Sequence, residues 1–351
     1  MEYSDKTVPL LSEADNYLGR LAGIGQLLPN PHVLIQPYIR QEAVLSSRIE
    51  GTRASLSDLF LYEITNKEPK EYMHVREVRN YVDATVYALS AIRKRPISLS
   101  LMGELHKRLL KGVRGADRRP GNFREGQNWI GFSDDIEEAE FVPPRPEDLG
   151  RLLLDFEGFI QNPPKGMPSL IQCALMHYQF ETLHPFFDGN GRIGRLLITL
   201  FLCKQGLMPE PLLYLSGYME KHREEYSDKL MAVRANSDYA AWVDFFLKAV
   251  AEQSRESIQN VEGILKLQKR YHDELRRTRG TVNAERLVDY LFINPYITAK
   301  NAAEYLKVTF PTAQSTIRGL QDAGILKEYS DRKRNRIYVA DGLIRALKAK
   351  Y

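Results

Sequence analysis

Cysteine is scarce in this chain: 351 residues contain only Cys173 and Cys203. Both fall in apolar helical patterns, so they read as buried free thiols, and no disulfide framework is available. A reducing compartment follows, and the cytoplasm is the expectation. Long apolar runs are also missing. The longest, near Leu200, is bounded by Arg195 and Lys204, far short of the roughly 20 residues a membrane-spanning helix needs. The opening residues, Met1-Glu2-Tyr3-Ser4-Asp5, lack a basic segment leading into an apolar stretch, which argues against a signal peptide. Internal repeats, low-complexity segments, a Walker phosphate loop and a kinase signature are absent from the sequence. A formal net charge of +4 is too small to imply nucleic acid by itself.

What is present is a foldable, mostly helical chain. At 43% hydrophobic residues it can bury a sizeable core, and its length suggests two or three domains. Residues 1–30 read as a short helix followed by a loop with Pro29, Pro31 and Pro37. A helical stretch runs over 38–63 with a break at Gly51, then another over 73–93. Ser98 or Ser100 caps a helix through Leu101, Leu105 and Leu109. Residues 112–146 are rich in Gly and Pro, with Phe123, Trp129, Ile130, Phe132, Phe141 and Val142 interspersed, and predict a β-hairpin or flap. Helices are expected over 148–160, 169–183, 191–205, 221–234 and 239–271.

The stretch from His184 to Arg195 concentrates the chemistry. Gly189-Asn190-Gly191 before a helix lets backbone N–H groups converge on an anion, and the helix N-terminus adds positive potential. Arg192 and Arg195 are three apart, share a helix face and can grip phosphate oxygens. Asp188 is a hard oxygen ligand suited to Mg²⁺. His184 titrates near neutrality and can accept a proton from a hydroxyl nucleophile. A base, a metal ligand and a phosphate cradle so close together suit nucleotidyl transfer to a hydroxyl. The Glu-x-x-His spacing of Glu181 and His184, with His177 and Asp188 nearby, also occurs in di-iron bundles. That reading needs a second such motif, which the sequence lacks, and Pro185 interrupts the periodicity.

His184-Pro185-Phe186-Phe187-Asp188-Gly189-Asn190-Gly191-Arg192-Ile193-Gly194-Arg195 resembles the Fic family signature HPFxxGNGRxxR at every fixed position. The resemblance implies a protein adenylyltransferase that uses ATP and Mg²⁺ to modify a Ser, Thr or Tyr hydroxyl of a target protein. His184 would be the general base and Asp188 would hold the metal. Asn190 and the backbone from Gly189 to Gly194, Ile193 included, would contact phosphates. Arg192 would take the γ-phosphate, and Arg195 the β-phosphate. The stretch 121–131, followed by Phe141-Val142-Pro143-Pro144, resembles the family's flap, with Asn128, Trp129, Ile130 and Gly131 nearest the nucleotide. Tyr226 and Leu230 fall where relatives line the adenine pocket; Tyr226-Ser227 stands in place of the paired tyrosines many of them carry.

Ser46-Ser47-Arg48-Ile49-Glu50-Gly51 resembles the family's inhibitory motif, S/T-x-x-x-E-G/N. Ser46 and Glu50 are helix neighbours, and Ser46 is expected to orient the carboxylate. Glu50 is expected to pair with Arg192 and hold the enzyme inactive; the same glutamate could instead position water to remove AMP.

From about Thr281 a separate pattern begins. Thr298 caps one helix, Pro311 opens a second that carries Ala313, Ile317 and Leu320 and ends at Gly324, and strands are expected over 325–329 and 336–339. This predicts a winged helix-turn-helix. Residues 286–351 hold twelve Lys or Arg against six Asp or Glu, with Arg332, Lys333, Arg334 and Arg336 on the wing. DNA contact through these and through Thr309, Thr312, Gln314, Ser315 and Arg318 is one expectation; protein docking or a homodimer is another. The predicted whole is a mainly α Fic-type helical bundle with a small β-hairpin flap plus a C-terminal winged helix-turn-helix. Its parts are an N-terminal helical region over 1–90, a catalytic core over 91–250, a linker helix over 251–285 and the winged part over 286–351. Competing functions are removal of AMP, transfer of UMP or a phosphoryl group, self-modification on one of 19 tyrosines, and a DNA-binding regulator with a sensory core.

Overall fold

The computed structural model describes residues 3–27, 31–65, 72–131, 135–330 and 335–348. Among these residues the chain forms fifteen α-helices and three short strands. The helices are α1 (Thr7–Leu27), α2 (Pro31–Ile49), α3 (Leu56–Thr65), α4 (Tyr72–Ile92), α5 (Leu99–Leu109), α6 (Pro146–Gln161), α7 (Ser169–Leu183) and α8 (Asn190–Lys204). They continue as α9 (Ser216–Lys221), α10 (Arg223–Asn236), α11 (Tyr239–Arg277), α12 (Val282–Leu291), α13 (Ala299–Leu306), α14 (Phe310–Asp322) and α15 (Asp341–Lys348).

Helices α7 and α8 lie at the centre and are buried on every face. Leu170, Ile171, Ala174, Met176 and Phe180 of α7, and Ile193 through Leu202 of α8, are buried, so neither helix has a solvated face. They pack on each other, and α2, α4, α5, α6 and α11 surround them. The long α11 anchors α1 along its length and α15 near its C-terminal half. Caps fix several boundaries: Ser98 Oγ accepts from the Leu101 N–H at 3.2 Å, and Asp238, Thr281, Thr298 and Thr309 cap α11 to α14 in the same way.

Several expectations change in detail. The proline-bearing segment before residue 38 is no loop where it is described: α2 starts at Pro31, which suits a first helical position, and runs through Pro37. Pro29 lies outside the described residues. The break at Gly51 is present, with φ at +87°. The helix expected over 221–234 is α10, shifted by two residues, and the short α9, which the sequence does not announce, precedes it. Among the described residues of the flap, one antiparallel bridge joins Ile130 to Phe141 and a 3-10 turn spans Ile136–Glu138. Phe132 falls outside the described residues.

Near the C-terminus a sheet of order β1-β3-β2, all antiparallel, joins β1 (Tyr296–Thr298), β3 (Ile337–Val339) and β2 (Lys327–Glu328). Tyr296 pairs with Val339 and Lys327 also pairs with Val339. Strand β1 escaped the sequence reading because it has only three residues, and its last, Thr298, is already the cap of α13. The expected wing residues Arg332, Lys333 and Arg334 lie outside the described residues.

Candidate active site

The turn between α7 and α8 builds the site. His184 closes α7 in the left-handed region at φ +44°, its N–H still bonded to the Phe180 carbonyl at 3.0 Å. Such a conformation is uncommon for a residue with a Cβ and persists only when neighbours hold it. They do. Arg124 donates from Nε to the His184 carbonyl at 3.0 Å and from Nη2 to the Leu183 carbonyl at 3.3 Å, while its own N–H meets the Pro185 carbonyl at 2.9 Å. Asn128 donates to the carbonyls of His184 at 3.3 Å and Phe186 at 2.9 Å. Asn190 closes the loop, accepting from the Phe186 N–H at 2.9 Å and donating to the Phe186 carbonyl at 2.7 Å.

Gly189 then takes φ +77°, a conformation that favours glycine, and a Cβ there would also sit tightly against Leu109 Cδ2 at 3.2 Å. His106 of α5 supports the loop from below. Its Nδ1 accepts from the Gly121 N–H at 2.9 Å, which leaves Nε2–H to donate to the Asp188 carbonyl at 2.9 Å, and its ring stacks on Phe186 at 3.8 Å. Burial pushes His106 down to about 4, in keeping with a neutral ring in that tautomer.

His184 is half-buried. Burial pushes its pKa down to about 4, against an upward pull from Glu50 and a further downward push from Arg234. Its Nδ1 makes no complete hydrogen bond among the described residues, although the Glu181 carbonyl draws the pKa slightly back up. The imidazole is therefore neutral near pH 7 and able to accept a proton.

The two arginines part company. Arg195 is nearly fully buried and faces α2: Nε donates to Ser46 Oγ at 2.9 Å, and Nη2 to the Ser46 carbonyl at 2.9 Å and to Glu50 Oε1 at 2.6 Å. Arg192 faces α4 instead. Its Nη1 lies 3.4 Å from Glu77 Oε2 and its Nη2 3.4 Å from Asp188 Oδ1. The expected pairing of Glu50 with Arg192 is thus corrected: Glu50 holds Arg195. The expected role of Ser46 changes with it, since its hydroxyl positions the Arg195 guanidinium and not the Glu50 carboxylate. The reason is helical geometry. Two residues three apart share a face only broadly, and the roughly 60° between them turns one toward α2 and the other toward α4. Burial works to raise the Glu50 carboxyl, but Arg195, then Arg192 and His184, outweigh it and hold the carboxyl below its ordinary range.

Asp188 is the one expected metal ligand. Its Oδ1 accepts from the Gly189 N–H at 2.6 Å, and Oδ2 stands 4.0 Å from Arg114 Nε. Among the described residues no group of three or more His, Cys, Asp or Glu could cage an ion. The site therefore fits only a metal that takes most of its ligands from phosphates and water, which is the habit of Mg²⁺.

The flap residues Asn128, Trp129 and Ile130 are half-buried, and Gly131 is exposed against Glu138 to Glu140. Tyr226 and Leu230, expected beside an adenine ring, are both buried in the core. The Tyr226 hydroxyl meets His177 Nε2 at 2.8 Å, and its ring packs among Trp242 and Phe245. Sequence reasoning gave no role to Glu77, His106 or Arg124 and weighed Glu181 only in the di-iron alternative. Glu181 is buried with Oε1 unpartnered among the described residues, and burial pushes its carboxyl up to about 7.

Residues 8–90 match the Fic/DOC family N-terminal region, and residues 96–202 match the Fic/DOC family. Together they take in more than half of the chain. A curated relative named protein adenylyltransferase Fic from Culex quinquefasciatus is 30% identical over 179 residues, 51% of this chain and 32% of that protein. The namesake from Drosophila ananassae is 32% identical over 143 residues, 40% of this chain and 26% of that protein. The matched part thus spans about a third or less of these relatives. A Fic family protein from Desulfovibrio desulfuricans G20 shares the fold with a TM-score of 0.62 at 20% identity, over 97% of both chains. No helix among the described residues is long and apolar enough to cross a membrane. The chain belongs to the Fic/DOC family.

Proposed function

We propose that the chain is a protein adenylyltransferase that moves AMP from ATP to a hydroxyl side chain of a target protein and is held in check by Glu50. The reading rests on one arrangement above all: a neutral His184 stands beside a glycine cradle whose Arg195 is clasped by Ser46 and Glu50 at 2.6–2.9 Å. The naming of the curated relatives as protein adenylyltransferases supports it.

In this scheme His184 accepts the proton of the target hydroxyl as its oxygen attacks the α-phosphorus. The bond from that phosphorus to the bridging oxygen breaks, and pyrophosphate leaves. The backbone N–H groups at the start of α8, with Arg192 and Arg195, offset the charge that builds on the phosphates. Mg²⁺ bound at Asp188 would add Lewis-acid charge neutralisation. Glu50 blocks this by occupying the guanidinium meant for the β-phosphate. ATP seated without that grip places its α-phosphorus off line, and a shift of about 1 Å costs on the order of 100-fold in rate. In the same scheme residues 91–250 form the catalytic core and 286–351 a winged helix that binds DNA or a protein.

Intact-mass spectrometry of the Glu50→Gly protein after incubation with Mg-ATP and a cell extract tests the proposal. The expected result is protein carrying one AMP, more than with wild type and none with Glu50→Gly/His184→Ala. Equal labelling with and without Glu50 would remove the brake, and an added phosphate or UMP would change the reaction assigned.

A further inference from the structure

Arg192 carries a second carboxylate that the Glu50 brake does not explain. Glu77 comes from α4, and it and Arg192 are almost wholly inaccessible, with side-chain exposures of 6% and 0%. The same oxygen, Glu77 Oε2, lies 3.4 Å from Arg192 Nη1 and 3.3 Å from Thr52 Oγ1. Thr52 stands two residues past Glu50, and its N–H is bonded to the Ser47 carbonyl at 3.1 Å. Glu77 therefore joins Arg192 to the turn that carries Glu50.

Charge at the cradle gives this contact a consequence. Arg192 and Arg195 are met by Glu50, Glu77 and Asp188, with the half-exposed Arg114 4.0 Å from Asp188. Arg192 is shared by two carboxylates and Arg195 is held by one, so each cradle guanidinium already has an anionic partner where a triphosphate would need it. Evicting Glu50 takes the carboxylate from Arg195 alone. Arg192 stays neutralised and buried.

Building on the adenylyltransferase reading, we propose that Glu77 is a positioning residue that sets triphosphate affinity by withholding Arg192, so that each phosphate arginine has its own resting carboxylate: Glu50 on Arg195 and Glu77 on Arg192. Thr52 ties the two together. When Glu50 leaves with its turn, the Thr52 hydroxyl leaves Glu77 as well, and the carboxylate loses one of the two donors that fix it against Arg192. Arg192 keeps its contact with Asp188 and its seat on α8, so it remains near the phosphate path.

The test is calorimetric titration of the full-length chain with Mg-ATP and, separately, with AMP, which lacks the β- and γ-phosphates. For Glu77→Gln the expected result is ATP bound about tenfold more tightly, the worth of one charge-assisted hydrogen bond gained, with AMP affinity unchanged. Removing one partner of a buried ion pair is destabilising. Glu77→Asp, which keeps the charge and draws it back by one methylene, is therefore measured beside it, and ATP should tighten in the same direction by a smaller factor. Glu50→Gly/Glu77→Gln should bind ATP more tightly than Glu50→Gly. ATP affinity unchanged or weakened in both Glu77 variants would overturn the proposal and make Glu77 a scaffold for Arg192. Equal tightening of ATP and AMP would overturn it too, because the effect would not lie at the outer phosphates. Should wild type and Glu50→Gly bind neither nucleotide, the adenylyltransferase reading itself fails, an outcome distinct from the other two.

Discussion

Glu181→Gln should alter stability in a pH-dependent way whose sign and size follow from burial. The Glu181 carboxyl is buried, and desolvation lifts it from 4.5 to about 7 despite the nearby charges of Arg195 and Arg234. Below pH 4.5 the group is protonated in both folded and unfolded chains and contributes no difference. Between 4.5 and 7 the folded chain keeps the proton while the unfolded chain releases it, so folding weakens as pH rises. At 1.36 kcal/mol per pH unit, that window is worth about 3 kcal/mol by pH 8. Glutamine has nearly the same shape and cannot ionise. Urea titrations of wild type and variant at half-unit steps from pH 4.5 to 8 should give a stability difference near zero at the acid end. The variant's advantage should grow toward about 3 kcal/mol at pH 8. Parallel curves would refute the reasoning and would mean that Glu181 is ionised in the fold.

A Cβ at Gly191 would collide with Glu50 Oε1 and come within 2.9 Å of Arg195 Nη1. Gly191→Ala should therefore evict Glu50 and also spoil the cradle, losing ATP binding in calorimetry where Glu50→Gly retains it. Burial holds His184 near 4, and losing Glu50 removes an upward pull, so the transfer rate of Glu50→Gly should be flat from pH 6 to 8. An inflection near the ordinary histidine value in the pH–rate profile would contradict that. His106→Ala strips the Gly121 N–H and the Asp188 carbonyl of their partners. It should cost about 2–4 kcal/mol in thermal or urea unfolding; a loss under about 0.5 kcal/mol would show that the ring does not hold the loop.

What could be read from the sequence was what is contiguous. His184 through Arg195 lies in one turn and the start of one helix, so spacing alone brought its parts together. The supports of that turn were illegible because their partners are distant in the chain: Arg124 reaches back from His184 across 60 residues, and Glu77 meets Arg192 across 115. Nothing marks either residue locally. The choice of arginine for Glu50 failed for a related reason. Periodicity says that Arg192 and Arg195 share a face, but only the packing of α2 and α4 on α8 decides which guanidinium meets which helix. Helices announced by long apolar patterns, such as α7 and α8, or by such a pattern with a cap, as in α11, were legible. The three-residue β1 and the six-residue α9 were not, since each is too short to carry a periodic signal of its own.

The central claim is tested most directly by giving Glu50→Gly protein ATP labelled on the α-phosphate and, in parallel, on the γ-phosphate, and by counting label bound to protein after gel separation. The account predicts that the α-label is retained, the γ-label is not, and adding His184→Ala abolishes the α-label. Retention of the γ-label, or of neither label while nucleotide still binds, would contradict it.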